Sequence, residues 1–164
     1  MNEVYLFQEL EKLVASAIKD FRLKTKSGEL KLPDIYFEHL PITGEEAFPF
    51  VLIKFQNSQS NPQMGTVCEV SISVGCYDST IDDADKLAGC YADALIDCFN
   101  VASAIRTALL SLEDSILASR YIRIDDVSLT APDEQSWPQF QLDIMTKWQF
   151  HAPSPLSKGR EYGY

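Results

Sequence analysis

The sequence predicts a single α+β domain, ordered α-β-β-β-α-β-β, in which a mostly antiparallel sheet carries a long helix and an amino-terminal helix. Three stretches lead to this. From Asp82 to Leu112 there is no proline, and Ala84, Ala88, Tyr91, Leu95, Cys98, Ala102, Ile105, Leu109 and Leu112 recur in alternating steps of four and three. That spacing puts them in one stripe along a helix roughly 45 Å long. From Thr66 to Tyr77, Cys68, Val70, Ile72, Val74 and Cys76 alternate with Glu69, Ser71 and Ser73, and from Gln139 to Phe150, Phe140, Leu142, Ile144, Trp148 and Phe150 share one side while Gln141, Asp143, Lys147 and Gln149 share the other. A period of two is the mark of strands with one buried face. Thr146 is the one polar member of the second apolar series.

The remaining elements follow in order. Leu6, Leu10, Leu13, Ala17 and Phe21, flanked by Phe7, Val14 and Ile18, make an amphipathic helix over Glu3 to Asp20, with Asn2 as its cap and Lys19 and Arg22 at its negative carboxyl end. Ser27-Gly28 marks a turn. Asp34 to Leu40 reads as a short strand between Pro33 and Pro41, with Ile35, Phe37 and His39 on one face. Pro49 to Gln56 is apolar on both faces through Ile53, as a central strand would be. The polar run Asn57 to Gly65 reads as a long hairpin loop projecting from the sheet.

Ser79 or Thr80 would cap the long helix, with Asp82, Asp83 and Asp85 in its first turn. In Arg120 to Thr130, Ile122 and Ile124 have one parity and Val127 and Leu129 the other, which predicts a bulge near Asp125-Asp126. The segment Ala131 to Pro138 is a turn-rich connection. Residues 153–164, with prolines, glycines and no apolar period, are expected to be extended or disordered beyond a domain spanning 1–152.

Composition narrows the function classes. A chain of 164 residues can bury about 70% of its unfolded surface as one domain. A net charge of -10 argues against a dedicated nucleic-acid binder, since phosphate contacts need clustered Lys and Arg. No apolar run is long enough for a membrane span, and the acidic, amphipathic start is unlike a signal peptide, so a cytoplasmic chain with no membrane partner is expected. Cys68, Cys76, Cys90 and Cys98 lack CxxC spacing and read as buried apolar residues.

Catalytic signatures are sparse. His39 reads as a structural histidine on a strand and His151 opens the tail. Asp78, Thr80 and Asp82 match the first spacings of a calcium loop, but Asp83 and Gly89 stand where its glycine and glutamate belong. Asp125-Asp126 and Asp133-Glu134 read as solvated loop charges. No catalytic, cofactor or metal site is therefore assigned, and the chain is read as a non-enzyme. The surfaces offered to other molecules are the polar loop (Asn57, Gln59, Asn61, Gln63, Met64), the later connection (Glu134, Trp137) and the tail (Lys158, Arg160, Tyr162). Trp137 is open to two readings, an exposed interface anchor or a core residue.

The succession FPFVLIKF, a polar hairpin, VCEVSISVGCYD, a helix ending IRTALLSLEDSIL, YIRIDDVSL and DEQSWPQFQLDIMTKWQFHAP resembles the tail terminator and tail-completion proteins of long-tailed phages and prophages, over roughly residues 34 to 152. The resemblance implies an α+β subunit of a homo-oligomeric ring, usually a hexamer, located in the virion tail after assembly in the host cytoplasm. Such a ring caps the tail tube, stops its elongation and provides the surface for joining to the head. Its partners would be the tail-tube protein and a head-completion or connector protein. The alternatives are another neck component, namely a head-completion or connector protein, or a small ligand-binding domain or enzyme.

Overall fold

The structure is a computed structural model that describes residues 2–41, 44–78, 87–134 and 139–151. Helix α1 spans Glu3–Ile18, followed by a small hairpin of β1 (Leu23–Lys24) and β2 (Leu30–Lys31). Then come β3 (Asp34–Phe37), β4 (Phe50–Asn61), β5 (Gly65–Tyr77), helix α2 (Leu87–Leu110), β6 (Ile116–Leu117), β7 (Tyr121–Thr130) and β8 (Gln139–Phe150). Strands β3 to β8 form one sheet in the order β3-β4-β5-β8-β7-β6, antiparallel except for the parallel β3–β4 pair. The α+β architecture read from the sequence is the one observed, with three two-residue strands added.

Both helices cover one face. Asn2 caps α1 by accepting from the Tyr5 amide at 3.2 Å, and Arg22 closes its other end by donating to the Lys19 and Phe21 carbonyls. The residues α1 buries fully are Leu6, Leu10, Val14 and Ile18; Phe7, Leu13, Ala17 and Phe21 flank that line. Against them α2 sets Ala94, Cys98, Val101, Ala102, Ile105 and Leu109, and the sheet sets Val51, Ile53, the Cys68-to-Cys76 series and the even-numbered residues of β8. In α2, Leu95 is only half buried, while Ala94 and Val101 join the core from outside the expected stripe. An ideal helix drifts about 20° per heptad against a strict repeat, so the buried line moves across neighbouring positions. The expected helix start at Asp82, its caps Ser79 and Thr80, and the calcium-loop residues Thr80, Asp82 and Asp83 lie outside the described residues.

Four expectations need correction. The run Asn57 to Gly65 is not a long loop: β4 continues to Asn61 and pairs with β5 through Asn57↔Glu69 to Asn61↔Gly65, leaving Pro62–Met64 as the turn. The outer side of β5 needs partners for its backbone groups, and that requirement overrides the low strand propensity of Asn, Ser and Gln. Gly65 closes the turn at φ +81°, where a Cβ would come within 2.6 Å of the Phe150 carbonyl oxygen.

Second, β4 is not central. The middle of the sheet is the fully paired β5–β8 ladder, and β3 flanks only Phe50 to Ile53 of β4. Third, β3 ends at Phe37 because Glu38 turns to φ 63°, which leaves His39 exposed rather than on an apolar strand face. Fourth, the bulge in β7 is present between Ile124 and Ser128, but it absorbs two extra residues. Parity is therefore kept: Tyr121, Val127 and Leu129 face the core while Ile122, 41% exposed, faces away from it.

Candidate functional site: the uncovered sheet face and the β4 edge

Alternation in four long strands places a second set of side chains on the face that the helices leave uncovered. One end of this face is closed by the Gly44–Ala47 turn: Ala47, Phe48 and Phe50 are buried there with Tyr36, Leu40, Leu52 and Tyr77 against them. Phe50 lies flat over Gly75, where a side chain would overlap its ring. The middle of the face is polar. Ser73 donates to Asp143 Oδ1 at 2.6 Å, Gln141 donates to the same oxygen at 3.0 Å, and Gln56 donates to Ser71 Oγ at 2.8 Å. Ser71 and Ser73 are 5% and 6% exposed, so this row is buried under its own hydrogen-bonded neighbours. The polar side of β5 is therefore open to solvent only toward the hairpin end.

At that hairpin end the charges gather around Lys147. Its Nζ lies 3.3 Å from Glu69 Oε1 and 3.2 Å from Asp125 Oδ2, joining β5, β8 and the β7 bulge. The hydrogen bonds to Asp125 and Glu69 push the Lys147 ammonium above its ordinary range. Arg123 holds the bulge from within its own strand, donating to the Asp125 carbonyl at 3.2 Å and to Ser115 Oγ at 3.1 Å. Two adjoining clefts share Glu69 and Lys147: one of about 380 Å³ with Asn57, Gln59, Asn61 and Met64 on its wall, and one of about 280 Å³ with Asp125, Asp126 and Met145.

Of the residues singled out from sequence, Asn57, Gln59 and Asn61 thus share one wall of a cleft as strand residues. Asn61 Oδ1 accepts from the Gln63 amide at 2.8 Å, and the Met64 carbonyl accepts from Gln149 at 2.7 Å, which ties the turn to the end of β8. The Met64 side chain is 59% exposed. Glu134 is exposed beyond β7 and stands apart from this group. Trp137, Lys158, Arg160 and Tyr162 lie outside the described residues.

Sequence reading missed Glu69, Lys147 and Asp125 as a group. Lys147 is the cation of an alternating face that also carries Gln141, Asp143 and Gln149, yet only the β5–β8 register shows that it meets Glu69.

Cys68, Cys76 and Cys98 are buried, as expected of apolar cysteines, and Cys98 Sγ donates to the Val74 carbonyl at 3.3 Å. Burial, with Glu3 and Glu69 nearby, pushes the Cys68 thiol up to about 12. The Cys98 thiol bonded to it, together with burial, pushes Cys76 up as well. Such thiols stay protonated and inert. Among the described residues no helix is long and apolar enough to cross a membrane.

No family model and no curated protein matches the chain. Among solved structures, a chain from the "Virion of native gene transfer agent (GTA) particle" is similar at a TM-score of 0.43 and 11% identity, over 89% of this chain and 91% of that one. Likeness at that level fixes neither fold nor role.

Proposed function

We propose that this chain is a structural, non-catalytic subunit of a phage-type particle: a tail terminator whose copies form a ring, hexameric by the resemblance noted above. The ring would cap the tail tube, end its elongation and present the head-joining surface. One observation carries the reading. The helices buttress one side of the sheet, while the hairpin end of the other side and the outer edge of β4 beyond Ile53 are left without a partner strand or helix among the described residues. Rigid sheets with exposed polar faces and edges suit assembly into closed rings. The clefts on the uncovered face share the ion-paired Glu69 and Lys147, and His39 stands exposed outside them. The net charge of -10, repeated around a ring, would let DNA pass through the lumen without adhering.

Multi-angle light scattering across salt and protein concentration, with and without tail-tube protein, tests the reading. A ring mass, or a complex with tube protein, is expected; a monomer under every condition overturns it. Capture with portal-side proteins in place of tube protein would assign the chain to a head-completion or connector role instead.

A further inference from the structure

The sheet has two incompletely covered edges, and they are treated differently. Beyond β6, which pairs only with Tyr121 and Ile122, the outer side of β7 is interrupted by the bulge and by the charges of Asp125 and Asp126. Bulges and charges are the usual devices that stop an edge from recruiting another strand. Beyond β3, the outer side of β4 runs Asn57-Ser58-Gln59-Ser60-Asn61 with no charge, no proline and no bulge of its own, the irregularity at Gln56 lying just before it. The Glu38 amide donates to the Ile53 carbonyl, and the Phe55 amide donates to Glu38 Oε1, so backbone groups at 53 and 55 point outward. One extra residue at Gln56 then makes Ser58 and Ser60 the outward-pointing positions. Their hydroxyls, bonded to Glu3 and Thr66, belong to the helix side and leave the backbone edge clear.

We infer that this β4 edge is completed by the carboxy-terminal segment Leu156–Tyr164 of a neighbouring copy, added as an antiparallel strand; the inference rests on the ring reading above. Three features identify the occupant. Leu156–Tyr164 is nine residues without proline, enough to pair along the five-residue edge. It carries Lys158 and Arg160 against the single acidic residue Glu161, whereas the edge has Glu3 at Ser58 and Glu38 at the Phe55 amide, within a chain of net charge -10.

The third feature is where the segment starts. β8 runs toward the hairpin tip and ends at Phe150, opposite Thr66, with His151 against Gly65. To reach its own β4 edge the chain would have to reverse and cross three strand spacings, about 14 Å, in the five Cα steps from His151 to Leu156, which span about 17 Å only at full extension and leave almost no length for the reversal. A Pro-x-Pro run also favours onward extension over reversal. The segment is therefore delivered to a neighbour.

The test uses the full-length chain with benzoylphenylalanine in place of Gly159, mixed with ¹⁵N-labelled chain that carries no probe, then irradiated and mapped by mass spectrometry. Crosslinks from position 159 to residues 55–61 of the labelled chain are expected. Ser60→Pro, which removes the outward amide together with the hydroxyl bonded to Thr66, should lose them, and Ser60→Ala, which removes the hydroxyl alone, should keep them; circular dichroism confirms that both variants fold. Light scattering on the same samples separates the two proposals. Rings whose crosslinks fall elsewhere, or only within one chain, or survive Ser60→Pro, overturn the exchange and leave the ring standing. Monomers throughout overturn both.

Discussion

Trp148 donates its indole N–H to Thr146 Oγ1 at 2.9 Å, and that same hydroxyl donates to the Val70 carbonyl at 3.0 Å. The one polar residue on the buried face of β8 thus satisfies the largest fully buried side chain of the described core and donates its own hydrogen bond to the next strand. Thr146→Val keeps the shape but leaves the Trp148 N–H unpaired at 0% exposure. A loss of about 1–3 kcal/mol is expected in urea unfolding. Trp148→Phe alone is expected to cost part of that through lost volume, and adding Thr146→Val to it should cost little more. A double-mutant cycle measures the difference.

That polar exception was visible in the sequence, and so were the elements on either side of it. Periods of two over Thr66 to Tyr77 and Gln139 to Phe150, and of about 3.6 over the helices, come from residues that must face one core, and the core enforced them. Elements governed by partners distant in sequence were less legible. The polar half of β4 is a strand because β5 lies beside it, and nothing in NSQSNPQMG states that. The β7 bulge was legible from parity, yet its size was not, since one extra residue and two look alike until Ser128 is seen opposite Met145. The Lys147 group was hidden for the same reason: its three members come from three strands.

Gly75 is held to glycine by Phe50. The two are paired in the β4–β5 register, and the ring occupies the space where a Cβ would project. Gly75→Ala must displace a ring packed against Phe48 at 4.9 Å between centroids, so a loss of about 1–3 kcal/mol is expected. Shortening the obstacle should relieve it: Phe50→Leu with Gly75→Ala is expected to be more stable than the sum of the single losses, as read by thermal unfolding.

The thiols provide a check on packing. Cys68, Cys76 and Cys98 are at most 2% exposed, and the first two have raised pKa values. In the folded chain at pH 8, Ellman's reagent should leave these three unmodified, and all three should react once urea unfolds the protein. Peptide mapping of the labelled sites reads this directly; fast labelling of Cys98 in the folded state would contradict the α2–β5 packing.

Asp97 on α2 is a cost that the fold carries at neutral pH. Burial raises its pKa first, with Asp93 and Asp78 adding to the rise and Lys24 opposing it. A carboxyl whose folded pKa lies above its unfolded value is destabilising wherever both states are ionised, and the penalty fades as pH falls through the folded pKa toward the unfolded one. Asp97→Asn removes the charge without changing the shape. The variant is therefore expected to be more stable than the parent at pH 7, with the advantage shrinking from just above the ordinary carboxylate range and gone below about pH 3.9. Because Asp97 is partly exposed, the advantage should also narrow with added salt. Unfolding midpoints of both proteins from pH 3 to 8, at low and high ionic strength, measure it. An advantage that persists unchanged into acid would mean the gain comes from packing or helix propensity at position 97 rather than from the carboxylate.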